Sequence, residues 1–136
     1  MLCIAGVKGF GGGYGNATLQ AFGEGQTKSF VQEAVSESLK LEAALSHLDT
    51  PKKLVIMHYS PVPETLEGEN IEIRPFLGTS RLAMPVDHYG AEAVFHGHAH
   101  HGAPQGKTKS GIPVYNVAMP LMTRLHPDQR FLLLEV

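Results

Sequence analysis

Two short apolar runs, each ending on histidine, restrict the fold of this 136-residue chain more than any other feature. Residues 53–59 read KLVIMHY, and residues 93–102 read AVFHGHAHHG. Leu54 to Met57 is apolar at every position. Both faces of the strand it forms are therefore expected to be covered, as in the centre of a sheet flanked by helices. Such strands alternate with helices in α/β folds. The helix comes from residues 27–48, where Val31, Ala34, Val35, Leu41, Leu45 and Leu48 recur at helical spacing. Ser29 and Gln32 match a capping box, and Asp49-Thr50-Pro51 stops the helix. Glu33, Glu37, Lys40 and Glu42 are expected on its solvent side. Further strands are expected at residues 1–7, 71–73, 113–118 and 130–136, and a second helix at residues 81–89. No linker or repeat divides the chain, so residues 1–136 read as a single domain.

Glycine and histidine are both unevenly placed. Eight of the 15 glycines fall in residues 6–25. That stretch lacks the lysine of a phosphate-binding P-loop and fails the GxGxxG dinucleotide spacing, so it reads as a turn-rich loop. Four of the eight histidines fall in residues 96–101. Alternate residues of an extended chain point the same way, so His98 and His100 are expected to face one side. Gly97 and Gly102 would let the backbone turn tightly around them. His58 ends the other apolar strand, at the edge where ligands gather in open α/β sheets. Neutral imidazole suits zinc, iron, manganese and nickel alike. His96 is expected to point into the core, and His47, His88 and His126 into solvent. His101 is left open by spacing.

The strand-histidine segment VIMHYSPV followed by VFHGHAHHG resembles the last two motifs of the calcineurin-like metallophosphoesterases. The resemblance implies that His58 and His98 bind one divalent transition metal and His100 its neighbour. It implies phosphoester hydrolysis by a hydroxide generated on the metals, and a fold that is half of an α/β/β/α sandwich, a mixed sheet with a long flanking helix. Arg74 and Arg81, in the connection after His58, are candidates for contact with substrate phosphate, because a guanidinium suits phosphate geometry. The family's D-x-H, G-D and G-N-H motifs have no counterpart here. The three aspartates, Asp49, Asp87 and Asp128, fit none of them. A two-metal centre needs bridging carboxylates, so this chain alone is expected to be nearly inactive. The missing motifs are expected upstream of the abrupt apolar start at Met1, or in a partner.

Two further expectations follow. A half-sandwich leaves an apolar sheet face uncovered, and a homodimer through that face would cover it. The alternative to an enzyme is then a non-catalytic module that dimerises or binds a metal or a partner. A net charge of −2 argues against a basic nucleic-acid surface, and no run of about 20 apolar residues is present to span a membrane. A single cysteine, Cys3, points to a reducing, cytoplasmic setting.

Overall fold

The computed structural model describes all 136 residues and has an α/β fold. Five strands, β1 (Leu2–Val7), β2 (Lys52–Met57), β3 (Ala93–His96), β4 (Gln105–Lys107) and β5 (Pro113–Asn116), form one mixed sheet in the order β1-β2-β3-β5-β4. All neighbours pair parallel except β4 and β5. The helices are α1 (Gly25–Ser46), α2 (Arg74–Leu77), α3 (Ala83–Tyr89) and α4 (Met119–Leu125).

The core is a line of small apolar residues across the sheet. Ala5, Val55, Val94 and Val114 lie in register, one per strand, and all are buried. Leu41 and Leu45 of α1, Val86 of α3 and Leu82 just before it pack on them. Each such buried leucine or valine contributes about 1.5–3 kcal/mol. The alternate positions point to the other face, as strand geometry requires. There Leu2, Ile4 and Ile56 are 44%, 57% and 49% exposed, and Phe95 stacks on Tyr115 at 5.5 Å. The expectation of strands covered on both faces is therefore corrected: β2 is an interior strand of the sheet, paired on both sides, but only one of its faces carries helices.

Several elements differ from their sequence reading. Helix α1 starts two residues early, after Glu24, so Ser29 is inside it and the capping box is not made. A cap needs extended backbone, which a residue in the second turn of a helix lacks. Ile71–Ile73 forms a 3₁₀ turn rather than a strand, with the Asn70 side chain accepting from the Glu72 N–H. Residues 130–136 form no strand and pair with neither edge of the sheet; Leu132 rests instead near Leu121 and Met122 of α4. The polar strand β4 and helix α4 carry no apolar periodicity long enough to announce them.

Glu37, expected in solvent, is 2% exposed. Its carboxylate accepts from the Gly9 N–H at 3.1 Å and from Lys40 Nζ at 2.7 Å. It thereby ties α1 to the start of the glycine-rich loop. That loop lies backbone against backbone on the segment after α2's start. The Gly12 and Gly13 N–H groups donate to the carbonyls of Pro75 and Gly78 at 2.7 and 3.0 Å. A Cβ on Gly11 would stand 2.1 Å from the Pro75 carbonyl oxygen, so only glycine fits. Removing the Glu37 carboxylate strands a buried N–H. Glu37→Ala is expected to cost about 1–3 kcal/mol in urea unfolding, while Glu42→Ala on the exposed face stays within about 0.5 kcal/mol of the parent.

Candidate metal centre

The C-terminal ends of β1, β2 and β3 carry their hydrogen-bond ladders past the strands. The His58 N–H donates to the Lys8 carbonyl at 3.0 Å, and the Gly97 N–H donates to the His58 carbonyl at 3.2 Å. This parallel register sets the loop after β3 beside the end of β2. His58 and His98, 40 residues apart, meet with Nε2 of His58 3.1 Å from Nδ1 of His98.

The proton positions follow from the neighbours. His98 Nε2 is 3.0 Å from the Phe76 carbonyl, which can only accept, so Nε2 carries the hydrogen. His98 Nδ1 is then a lone pair aimed at His58, whose Nε2–H donates to it. A metal-binding histidine is commonly held this way, with its far nitrogen donating to a carbonyl. Burial, then the charges of His98 and His100, hold the His58 imidazole below its ordinary pKa, so it is neutral near pH 7. Two imidazole nitrogens on one zinc stand roughly 3.0–3.4 Å apart, from bond lengths of about 2.0–2.1 Å. The observed pair fits that span: His98 Nδ1 offers a lone pair, and His58 Nε2 offers a second once its proton moves to Nδ1.

The rest of the expected set is arranged differently. No three His, Cys, Asp or Glu side chains converge to hold a metal ion, so His100 stands outside the pair. The alternation expected of His98 and His100 fails because the segment is not extended. His98 takes φ 67°, and tight bonds run from the Ala99 N–H to the Gly97 carbonyl and from the His100 N–H to the His98 carbonyl. Ala99 between them is fully buried against Leu66 and Leu77. Of the two glycines, Gly102 is the one that sterics demand, since a Cβ there would meet the Thr65 carbonyl at 2.1 Å; Gly97 has room. The left-handed conformation falls on His98 itself, a costly position for a residue with a side chain. No carboxylate joins the pair: the Asp87 carboxylate accepts from the Ser110 backbone, and Glu69 accepts from the His101 N–H.

The two arginines are engaged within the fold. Arg81 donates from Nη2 to the Leu19 carbonyl at 2.9 Å and clasps the glycine-rich loop. Arg74 pairs with Glu67 at 3.1 Å. Each keeps one buried nitrogen with no partner, Nη1 of Arg81 and Nε of Arg74. Arg74 sits two residues before the carbonyl that holds His98.

Beneath the histidines lies a polar layer that no spacing rule reveals. His96 is fully buried, as expected. Its Nδ1–H donates to the Gly97 carbonyl at 2.8 Å, and its Nε2 accepts from the Thr65 hydroxyl at 2.7 Å. Thr65 continues to Ser60 Oγ at 2.8 Å, and Asn116 Nδ2 donates to the Ala99 carbonyl at 2.9 Å. These bonds lock the loops after β2 and β3 together. Burial pushes the His96 imidazole down to about 4. In the unfolded chain it titrates near 6.5, so below that pH the unfolded state takes up a proton that the folded state refuses. Stability is thus expected to fall as pH drops from about 6.5 to 4, by on the order of 3 kcal/mol. Urea unfolding at pH 7 and pH 4.5 measures it, and His96→Gln, which keeps a donor and an acceptor, is expected to lose most of that slope. In three comparisons, no protein-family model, no curated protein and no solved structure matches this chain.

Proposed function

We propose that this chain supplies the histidine part of a metal-dependent phosphoester hydrolase centre. The carrying observation is the His58–His98 pair: two imidazole nitrogens 3.1 Å apart, the His98 one left as a lone pair by the bond of its far nitrogen to the Phe76 carbonyl. His58 and His98 would hold one divalent transition metal, manganese, iron, zinc or nickel, and His100 would serve a neighbouring ion after rearrangement of its exposed turn. When bound, such metals polarise a phosphoryl oxygen and activate water. The chain's own part is to orient. His98 keeps its proton on Nε2, and His58 frees its Nε2 lone pair by carrying its proton on Nδ1. Arg74, two residues before the Phe76 carbonyl, and Arg81 are the groups proposed to meet substrate phosphate, after their side chains leave the contacts with Glu67 and the Leu19 carbonyl. Bridging carboxylates must come from outside these residues, so the isolated chain is expected to bind metal weakly and to hydrolyse little.

A second reading, favoured by the open sheet face, makes the chain a non-catalytic module that pairs with a second copy. Leu2, Ile4 and Ile56 form an apolar strip that a homodimer would bury. No helix is long and apolar enough to cross a membrane.

Calorimetric titration with Zn²⁺ or Mn²⁺ tests the first reading. One site is expected, with His58→Ala and His98→Ala each weakening it by at least about tenfold, the loss that even an outer partner can cause. Equal affinity in the variants would contradict it, and so would vigorous metal-dependent diester hydrolysis that survives His98→Ala. Light scattering at micromolar concentration tests the second reading. A dimer that Ile4→Glu dissociates is expected, and a monomeric parent would contradict it.

A further inference from the structure

Beside the histidine pair lies a recess walled by aromatic rings, and nothing in the chemistry above uses it. The rings run in a chain: Phe76 meets Phe30 edge to face at 6.0 Å between centroids, Phe30 meets Phe10 at 4.7 Å, Phe10 meets Tyr59 at 5.6 Å, and Tyr59 meets the His98 ring at 4.6 Å. With Ile73 and Leu77 they line a recess of about 390 Å³ that opens to solvent. The floor is the bare peptide of Gly11, where a side chain would strike both the Pro75 carbonyl and the Phe30 ring. No charged side chain lines the recess. The Lys8 Nζ stands 5.1 Å from the centroid of the Phe10 ring. Phe76 is 60% exposed at the mouth, a large apolar surface left in water.

We infer that this recess receives the flat aromatic ring of an aryl or nucleobase phosphoester whose phosphate lies at His58 and His98. The inference rests on the metal-centre reading for the phosphate and on the ring geometry for the rest. Four rings set at tilted and edge-to-face angles favour another aromatic ring over an alkyl chain, because ring edges and faces carry opposite partial charge. The volume falls within the size of small-molecule sites, about 300–1,000 Å³. The uncharged wall calls for an uncharged group. His98 joins the recess to the metal centre, because its ring closes one wall while its Nδ1 faces His58.

The test is ligand binding to the intact chain, with and without Zn²⁺, read by saturation-transfer NMR and by the aromatic resonances of Phe76 and Tyr59. The probes are phenyl phosphate, adenosine monophosphate, cyclohexyl phosphate and methyl phosphate. At least one ring-bearing probe is expected to bind at least about tenfold tighter than methyl phosphate, the order that one or two aromatic contacts supply. Cyclohexyl phosphate is expected to bind more weakly than that probe, and Phe76→Ala, at an exposed site outside the core, to remove the preference. Whether the phenyl or the adenine ring binds tighter identifies the source of the ring. Equal binding of all four probes overturns the inference, as does a preference that survives Phe76→Ala. Shifts of the same resonances with protein concentration alone would assign the recess to self-contact and overturn it too. If zinc binds and no ring preference appears, the recess proposal fails and the metal centre stands. If the ring preference appears and zinc leaves both histidines unmoved, the metal centre fails and the recess stands as an aromatic site.

Discussion

The hydrogen bond from the Gly97 N–H to the His58 carbonyl is the joint on which the site depends. It extends the parallel pairing of β2 and β3 by one step beyond the strands. Parallel register leaves no freedom to slide without turning every side chain to the other face. Once Val55 and Val94 are locked in the core, His58 and the turn carrying His98 must end side by side. Local bonds then settle the fine geometry. The Phe76 carbonyl fixes which nitrogen of His98 is free, and the left-handed turn at His98 aims that nitrogen across the gap. A residue with a side chain, rather than glycine, holds this left-handed conformation, at a cost in backbone strain.

Support for that joint comes from two opposite chemistries. On the helix-covered face, Leu41, Leu45, Leu82 and Val86 cement the strands by burial. At the strand ends, Ser60, Thr65, His96 and Asn116 form a buried polar layer with its donors and acceptors matched. Buried polar groups are costly unless satisfied, and satisfied networks specify one arrangement rather than many. The glycine-rich loop joins this layer from outside. Glu37 and Arg81 hold its two ends, and its glycines allow peptide to lie on peptide where side chains would collide. The Phe76 segment against which the loop packs supplies both the carbonyl for His98 and the mouth of the aromatic recess.

The sequence made some of this legible and hid the rest for physical reasons. An unbroken apolar run such as Leu54–Met57 can be satisfied in few ways, so the central strand and the histidine after it were readable. So was the pairing of His58 with His98, because parallel strands bring their ends together. The shared facing of His98 and His100 is not legible, because alternation assumes extended chain and turn bonds around Ala99 break that assumption. Charge alone places Glu37 in solvent, because it does not reveal a buried N–H awaiting an acceptor. Ser29 looked like a cap because the true helix start, after Glu24, has no side-chain cap to announce it. The apolar tail at residues 130–136 has a strand's composition, but Leu132 packs on α4 and the tail pairs with neither sheet edge. Phe10, Phe30 and Phe76 lie far apart in sequence, and only the fold of the glycine-rich loop gathers them.

The central claim is that His98 offers an unprotonated Nδ1 to His58 as a preset pair. Long-range ¹H–¹⁵N correlation of the imidazoles near pH 7 measures this directly. The account predicts the hydrogen of His98 on Nε2 and, on addition of Zn²⁺, coupled shifts of His98 Nδ1 and His58 Nε2 with the other histidines little changed. A His98 protonated on Nδ1, or zinc that moves neither nitrogen, would contradict it.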